Sequence, residues 1–439
     1  MIDQKYKELA NWALKLILDE GCSGARIVMY SGIDNSFEYR DTQLDKLEQS
    51  SENGMNIHVF VDGRYSSFST NRLDKDELKR FIKQGIESTR YLAKDEYRKL
   101  ADPARIFKGP GGDLDIFDKE LSSVSVDEKL QLLKDSVNEV YNKDPKLISV
   151  SAGYSDGTSE NYMIDSNGFE GETATTYYNL SAETSMIDVE GARPSSYWYD
   201  ASVFWKNLQK KGIAQRAYER TLNKLGQKKI HSGKYKMLVD NLTVSRLLSP
   251  LISSLYGSSI QQKNSFLIDC LDKKILSDKV SILDDPHIPQ ARGARWFDAE
   301  GVATRKMDVV KDGILKNYYL DTYYAGKLEM IPTVQSPSIL VMKPGNRDFN
   351  ALLKQVDKGI WVTGFNGGNS NSTTGDFSLG IEGFLVEDGK LSTPVNEMNI
   401  TGNLLALWQN IEEIGNDPRL TSPWRIPSVL FNDVNFNGK

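Results

Sequence analysis

His58, His231 and His287 are the three histidines of the chain, and their spacing limits the chemistry they can do. They are followed by Val59, Ser232 and Ile288, so neither a His-Glu-x-x-His nor a His-Glu-x-x-x-His pattern occurs. A helical two-histidine metal site with a neighbouring glutamate base is therefore not encoded. His58 alternates within a strand pattern and reads as a sheet-surface residue, and His231 falls in a polar linker. Only His287, in DDPHIPQARGARWFDAEG, has acidic neighbours, namely Asp284, Asp285, Asp298 and Glu300. Two readings stay open for that stretch: a metal or acid–base cluster of a self-sufficient hydrolase, or a solvated loop.

Nucleophilic catalysis has no local signature, since no Gly-x-Ser-x-Gly elbow is present. Cys22 follows a helix end and Cys270 lies in FLIDCL, which reads as a buried strand, so both are expected to pack rather than react. The stretch GFNGGNSNSTTGDFSLGIEGFLVEDGK, Gly364 to Lys390, contains no phosphate-loop or dinucleotide fingerprint. Its glycines and asparagines reach unusual backbone angles, and the short side chains bond nearby backbone. It is thus either a flexible connection or a loop against which an extended peptide lies, with Asn366, Gly367, Asn369, Asn371, Thr374 and Asp376 as the contacting positions. Lys206, Lys210, Lys211, Arg216, Arg220, Lys224, Lys228 and Lys229 form a basic helical run, which suits a nucleic-acid patch or, more commonly, a solvated face. The aromatic clusters SSYWYDASVFW and NYYLDTYYAGKL suit a core better than a groove.

The elements that must position these residues are read from periodicity and punctuation. Leu9, Ala13, Leu16 and Ile17 mark a first helix ending at Gly21. Met55, Ile57, Val59 and Val61 alternate ahead of an Asp62-Gly63 hairpin turn. Asp74 with Glu77, and Ser125 with Glu128, are capping signatures for two more helices, the second facing inward with Leu130, Leu133, Val137 and Tyr141. From Leu147 the period is two, with a turn at Asn167-Gly168. A helix from about Gly212 follows, with Ala214, Ala217, Tyr218, Leu222 and Leu225 inward. Asp312-Gly313 and Asp388-Gly389 mark two further hairpins. The fold class is α+β: an N-terminal region of hairpins and amphipathic helices over 1–229, with a subdomain break near 100–125 as an option, and an antiparallel-β-rich domain over 230–439.

With 439 residues the chain has room for two or three domains of about 100–200 residues. Its 60 acidic against 54 basic residues leave a net charge of −6, which disfavours direct binding to nucleic acid. The N-terminal apolar positions are interrupted by Lys7, Glu8, Lys15, Asp19 and Glu20, unlike a secretory signal, and no run of roughly 18 apolar residues suggests a membrane span. Two cysteines exclude a disulfide framework, and a cytoplasmic home is expected.

Four blocks, KNSFLIDCL, FDAEGVATRKMDVVKDGILKNYYLDTYYAGKL, TTGDFSLGIEGFLVEDGKLSTPVNEM and ITGNLLALWQNIEEIGND, resemble the TldD/PmbA family in its PmbA (TldE) branch. The likeness spans most of the chain beyond about residue 235 and is weaker around ENGMNIHVFVDGR. It implies a TldD-like catalytic partner subunit, an enclosed chamber and action on unfolded peptides, with a homodimer as an option when the partner is missing. It also carries an older role in modulating DNA gyrase. The TldD branch holds zinc with His-Glu-x-x-x-His on a helix. The corresponding helix here, expected over Leu247–Phe266, offers Ser249, Pro250, Ser253 and Ser254. Hydroxyls are poor zinc ligands and proline is no base. No catalytic residue, metal ligand or cofactor is therefore expected in this chain, and zinc is expected in the partner. Arg292, Asp298 and Glu300 join the Gly/Asn residues as candidate substrate- or partner-binding positions.

Overall fold

The computed structural model describes residues 1–439. In the N-terminal part, α1 (Gln4–Asp19), β1 (Gly24–Arg40), β2 (Gln43–Val61), β3 (Arg64–Thr70), α2 (Lys75–Thr89), α3 (Val126–Asn138), β4 (Leu147–Asp165), β5 (Glu170–Met186), β6 (Ser195–Ser202) and α4 (Ile213–Asn223) follow one another. Its six strands form one antiparallel sheet in the order β3-β2-β1-β4-β5-β6. The punctuation acts as the residue types demand. Asp62 and Gly63 take φ of 52° and 73° in the β2–β3 turn. Asp3 and Asp74 cap α1 and α2, and Ser125 and Glu128 close a reciprocal capping box on α3.

Helices cover one face of this sheet. Under α1 and α2 lie Ala25, Ile27 and Met29 of β1 with Met55, Ile57 and Val59 of β2. Further along the same face, Phe37, Val150, Ala152, Tyr154 and Leu180 lie under α3 and α4. The sheet itself continues unbroken beneath both helix pairs, because β1 pairs with β4 from Arg26↔Asp165 to Arg40↔Ser151. α4 turns slightly from its expected face: Leu222 is 37% exposed, and buried Thr221 bonds Thr184 instead. The opposite face presents Met163 and Val28 to Phe169, Val302 and Phe297, so the C-terminal part packs there.

That C-terminal part comprises β7 (Gly233–Val239), α5 (Ser245–Ser253), α6 (Gly257–Gln261), β8 (Ile282–Asp284), β9 (Met307–Lys311), β10 (Ile314–Leu315), α7 (Thr322–Lys327), β11 (Leu340–Met342), α8 (Phe349–Leu353), β12 (Lys358–Ser370), β13 (Asp376–Glu387), β14 (Lys390–Asn403), α9 (Leu404–Gln409), β15 (Ile411–Ile414), β16 (Trp424–Arg425) and β17 (Val429–Asn437). Its main sheet runs β14-β13-β12-β7-β17-β15, and β14 also pairs with β17, closing five strands into a ring. The mainly antiparallel pattern matches the expected class, although β7 and β12 pair in parallel. Leu247, Leu248, Leu251 and Ile252 fasten α5 onto the core built by Met237, Val239, Ile360, Val362, Ile381 and Phe431. Buried Trp408 donates its indole N–H to Leu247 O at 3.2 Å.

Two expectations fail here. The single helix over Leu247–Phe266 is broken, because Tyr319 bonds Leu255 O and Gly257 N and pulls Tyr256 into an extended conformation. Cys270 lies in a turn rather than a buried strand, with its N–H bonded to the Tyr318 hydroxyl.

Candidate functional site

The candidate residues fall into two groups. In the first, the Gly/Asn stretch is largely strand rather than loop: Asn366 and Asn369 belong to β12, and only 371–375 form the turn into β13. Gly367 and Gly368 both take φ of 83° where the register slips, and a Cβ on Gly368 would stand 2.1 Å from Ser378 O. Asn371 Oδ1 accepts from Thr373 N and Thr374 N at 2.8 and 3.3 Å, and Thr374 donates to Asp376 at 2.7 Å. Asn403 donates to Asp376 Oδ1 at 3.0 Å, and these bonds from Asn403 and Thr374 hold that carboxyl below its usual range. Asn366 donates to Asn396 at 3.1 Å. The hairpin is also tied to the neighbouring helices. Arg246 donates to Gly368 O at 3.3 Å, and Ser372 and Thr373 donate to Asn264, just past α6. A surface of hydroxyls and amides thus runs from the tip toward the solvent side of α5, where Arg246 and Ser253 are exposed and Ser249 and Pro250 half-buried.

The second group lies where the C-terminal part meets the bare face of the N-terminal sheet. Buried Asp298 accepts from Glu300 N, Val302 N and Gln335 N at 2.9, 3.0 and 3.1 Å. Glu300 accepts from the N–H and hydroxyl of Thr322, and burial pushes its pKa up. Arg26 of β1 donates to Ala299 O and Glu300 O, so the loop is clamped to the sheet. Arg292 is exposed. The remaining members of the acidic cluster do not converge on His287. Asp284 binds Ser338 N, Ile339 N and Tyr319 OH, Asp285 pairs with Lys306 at 2.8 Å, and His287 meets Thr304 and the Trp296 ring. Burial lowers the His287 pKa.

Asp298 and Asn371 both close turns through backbone N–H groups, but Asp298 is buried and Asn371 is exposed. Asp298→Ala strands one buried and two part-buried N–H groups and is expected to cost about 2 kcal/mol, whereas Asn371→Ala at the exposed tip is expected to cost less than about 1 kcal/mol. Urea unfolding of the two variants checks the ranking; equal costs would remove this distinction.

Lys206, Lys211, Arg216, Lys228 and Lys229 of the basic run are exposed, as on a solvated face, and several members of the run also make contacts within the chain. Lys224 meets Glu382 at 2.6 Å, Arg216 lies 4.1 Å from the Trp198 ring centre and Lys210 4.0 Å from that of Trp205. Sequence reasoning missed a cavity of about 670 Å³ at the domain junction, lined by Val28, Met163, Thr173, Trp296, Phe297 and Asp298 among others. Trp296 and Phe297 stood in a quoted stretch, but nothing local linked them to β1, β4 and β5.

A zinc ion, which the resemblance to the TldD/PmbA family brings into question, does not fit the donor set. No three His, Cys, Asp or Glu side chains converge anywhere, and α5 offers only an arginine, a proline and hydroxyls. The Ser254 hydroxyl is turned back to Pro250 O at 2.8 Å. No helix is long and apolar enough to cross a membrane.

Comparison with known proteins agrees with this architecture. Residues 25–89, 119–225 and 232–438 match, respectively, domain 1, the central domain and the C-terminal domain of the PmbA/TldA metallopeptidases. The Metalloprotease PmbA of Escherichia coli O157:H7 is 28% identical over 438 residues, covering 99% of this chain and 96% of that protein. A Bacteroides thetaiotaomicron protein of known structure, described as a candidate modulator of DNA gyrase, is 52% identical with a TM-score of 0.98, covering all of both chains. TldE from Thermococcus kodakarensis shares the fold at 20% identity, with a TM-score of 0.85 and coverage of 99% of this chain and 100% of its own. With three successive domain matches and a relative more than half identical from end to end, the chain belongs to the PmbA/TldD family and is metallopeptidase-like.

Proposed function

We propose that this chain is the metal-free subunit of a cytoplasmic two-subunit zinc metallopeptidase that degrades unfolded peptides. The observation that carries this reading is α5 with its C-cap residue, where Ser249, Pro250, Ser253 and Ser254 stand in place of metal donors and a general base. In this reading a TldD-like subunit supplies zinc and hydrolysis. This chain supplies chamber wall and a polar peptide track along the β12–β13 hairpin, using Asn366, Gly367, Asn369, Asn371, Thr374 and Asp376, with Arg292, Asp298 and Glu300 at the junction. The edge of β2 supports the idea of a partner: Gln43–Asn53 is exposed, β3 covers only Met55–Val61, and Leu44 and Leu47 are more than 40% exposed.

The test is zinc content and peptidase activity of the pure chain, a TldD-like chain and their mixture. The expected result is no stoichiometric zinc and no cleavage by this chain alone, and chelator-sensitive cleavage by the mixture above that of the TldD-like chain. One zinc per chain, or chelator-sensitive digestion by this chain alone, would overturn the reading. The description of the 52% identical relative favours a second reading, a protein-binding modulator of DNA gyrase. A supercoiling assay with the pure chain decides it, and no effect at micromolar protein removes it.

A further inference from the structure

The cavity at the domain junction is bordered by an unfinished strand edge. β5 pairs with β4 along its whole length, but with β6 only from Tyr178 to Ser185, so Glu170–Tyr177 has no strand on its outer side. One bond shows which main-chain groups face outward: Thr176 N donates away from β4 to Ile116 O at 3.1 Å. By the two-residue alternation of a strand, the N–H and C=O groups of Glu172 and Ala174 also point outward. Neither residue makes a main-chain bond on that side.

The side chains sort by the same alternation. Glu172 points to the helix face, where it meets Lys7 at 2.6 Å and Ile2 N at 2.8 Å. Thr173 and Thr175 point to the bare face and line the cavity with Val28 and Met163. Across the gap runs a strap, 107–116. Phe107 lies parallel to the Trp296 ring, Gly112 O accepts the Trp296 indole N–H at 2.8 Å, and Leu114 O accepts Gln290 N at 2.8 Å. The result is a slot between a free strand edge and a strap, over an apolar floor.

We propose that this slot binds a short extended peptide as an added strand on β5. Its main chain bonds Glu172 and Ala174, and alternate side chains, apolar and of moderate size, enter the cavity over Val28, Met163, Trp296 and Phe297. Unpaired edges accept strands in this way, and the cavity volume of about 670 Å³ suits such side chains. The site is separate from the β12–β13 hairpin and needs no partner subunit, so it stands or falls independently of the two-subunit reading.

The test is fluorescence anisotropy of a labelled, acetylated peptide of alternating valine and threonine titrated with the whole chain. Ala174→Pro removes an outward donor while leaving the β4 ladder intact, because proline is tolerated where a strand N–H faces away from its neighbour. The expected result is binding by the wild type, no binding of the fully N-methylated peptide, and about tenfold weaker binding by Ala174→Pro with an unchanged circular dichroism spectrum. Hydrogen exchange at the Glu172 and Ala174 amides of the wild type is expected to slow when peptide is added, which decides the matter should the variant misfold. No binding by the wild type, full affinity in folded Ala174→Pro, or slowing confined to the 364–376 hairpin would overturn the proposal.

Discussion

Replacing Lys129 by alanine is expected to destabilise the chain by about 3–5 kcal/mol, the cost of leaving a buried carboxylate without its counter-ion. Lys129 Nζ lies 2.6 Å from Asp156 Oδ2, with the two side chains 5% and 0% exposed. Asp156 also accepts from Asn35 at 2.7 Å and from the Tyr154 hydroxyl at 2.5 Å. Burial and the Asp156 charge push the Tyr154 pKa far up, so the tyrosine stays a donor. Those two bonds remain in Lys129→Ala, but the charge loses its partner. Domains are stable by only about 5–15 kcal/mol, so the loss is a large fraction of the total. Urea unfolding gives the magnitude. The paired change Lys129→Met with Asp156→Asn is expected to recover most of it, because replacing both charges removes the desolvation penalty that one replacement exposes. A cost below about 1 kcal/mol for Lys129→Ala would mean that the pair is solvated in solution.

This ion pair also marks where the sequence stops being legible. The capping signature on α3 places the helix, and its expected inward set of Leu130, Leu133, Val137 and Tyr141 packs on the core, but the buried face is wider than that set. The buried residues include Lys129, Leu132, Leu133, Ser136 and Val137. A lysine ahead of a leucine-rich run reads as solvent-facing, and only the fold brings Asp156 of β4 to it. Turns were legible because their chemistry is local: Asp312, Gly313, Asp388 and Gly389 all take the positive φ that an Asp-Gly hairpin needs. The same locality left DDPHIPQARGARWFDAEG undecided between a cluster and a loop. Its carboxylates look clustered along the chain, yet Asp298 closes its own turn and Glu300 caps Thr322, each aimed at different backbone. The missing metal motif is a property of the string itself. The β5 slot is not, since it exists only where β6 ends and a strap from elsewhere in the chain returns.

Acid titration is expected to reveal two groups, half-buried His58 and buried Asp284, that oppose each other. His58 stands across β1–β2 from Arg26 and meets Tyr65 OH at 2.9 Å. Burial first, and then the Arg26 charge, lower its pKa from 6.5 to about 4. As pH falls below 6.5 the unfolded chain takes up a proton that the folded chain refuses, so His58 costs stability until its folded pKa is reached. Asp284 behaves oppositely. Burial raises its pKa from 3.8 to about 6 against the pull of the Ser338 and Ile339 N–H groups, Arg295 and Tyr319. The folded chain protonates first, so Asp284 adds stability as pH falls from 6 toward 3.8. Each shift corresponds to roughly 3 kcal/mol at most, and in the shared window between pH 6 and 4 the two nearly cancel. Against the wild type, His58→Gln is therefore expected to gain stability steadily from pH 6.5 to 4. Asp284→Asn is expected to lose stability relative to the wild type as pH falls from 6 to 4. The slopes of these differences carry the result, because a lost hydrogen bond adds only a constant offset. Stability differences that stay flat across the window in both variants would show that neither group is held away from its ordinary protonation.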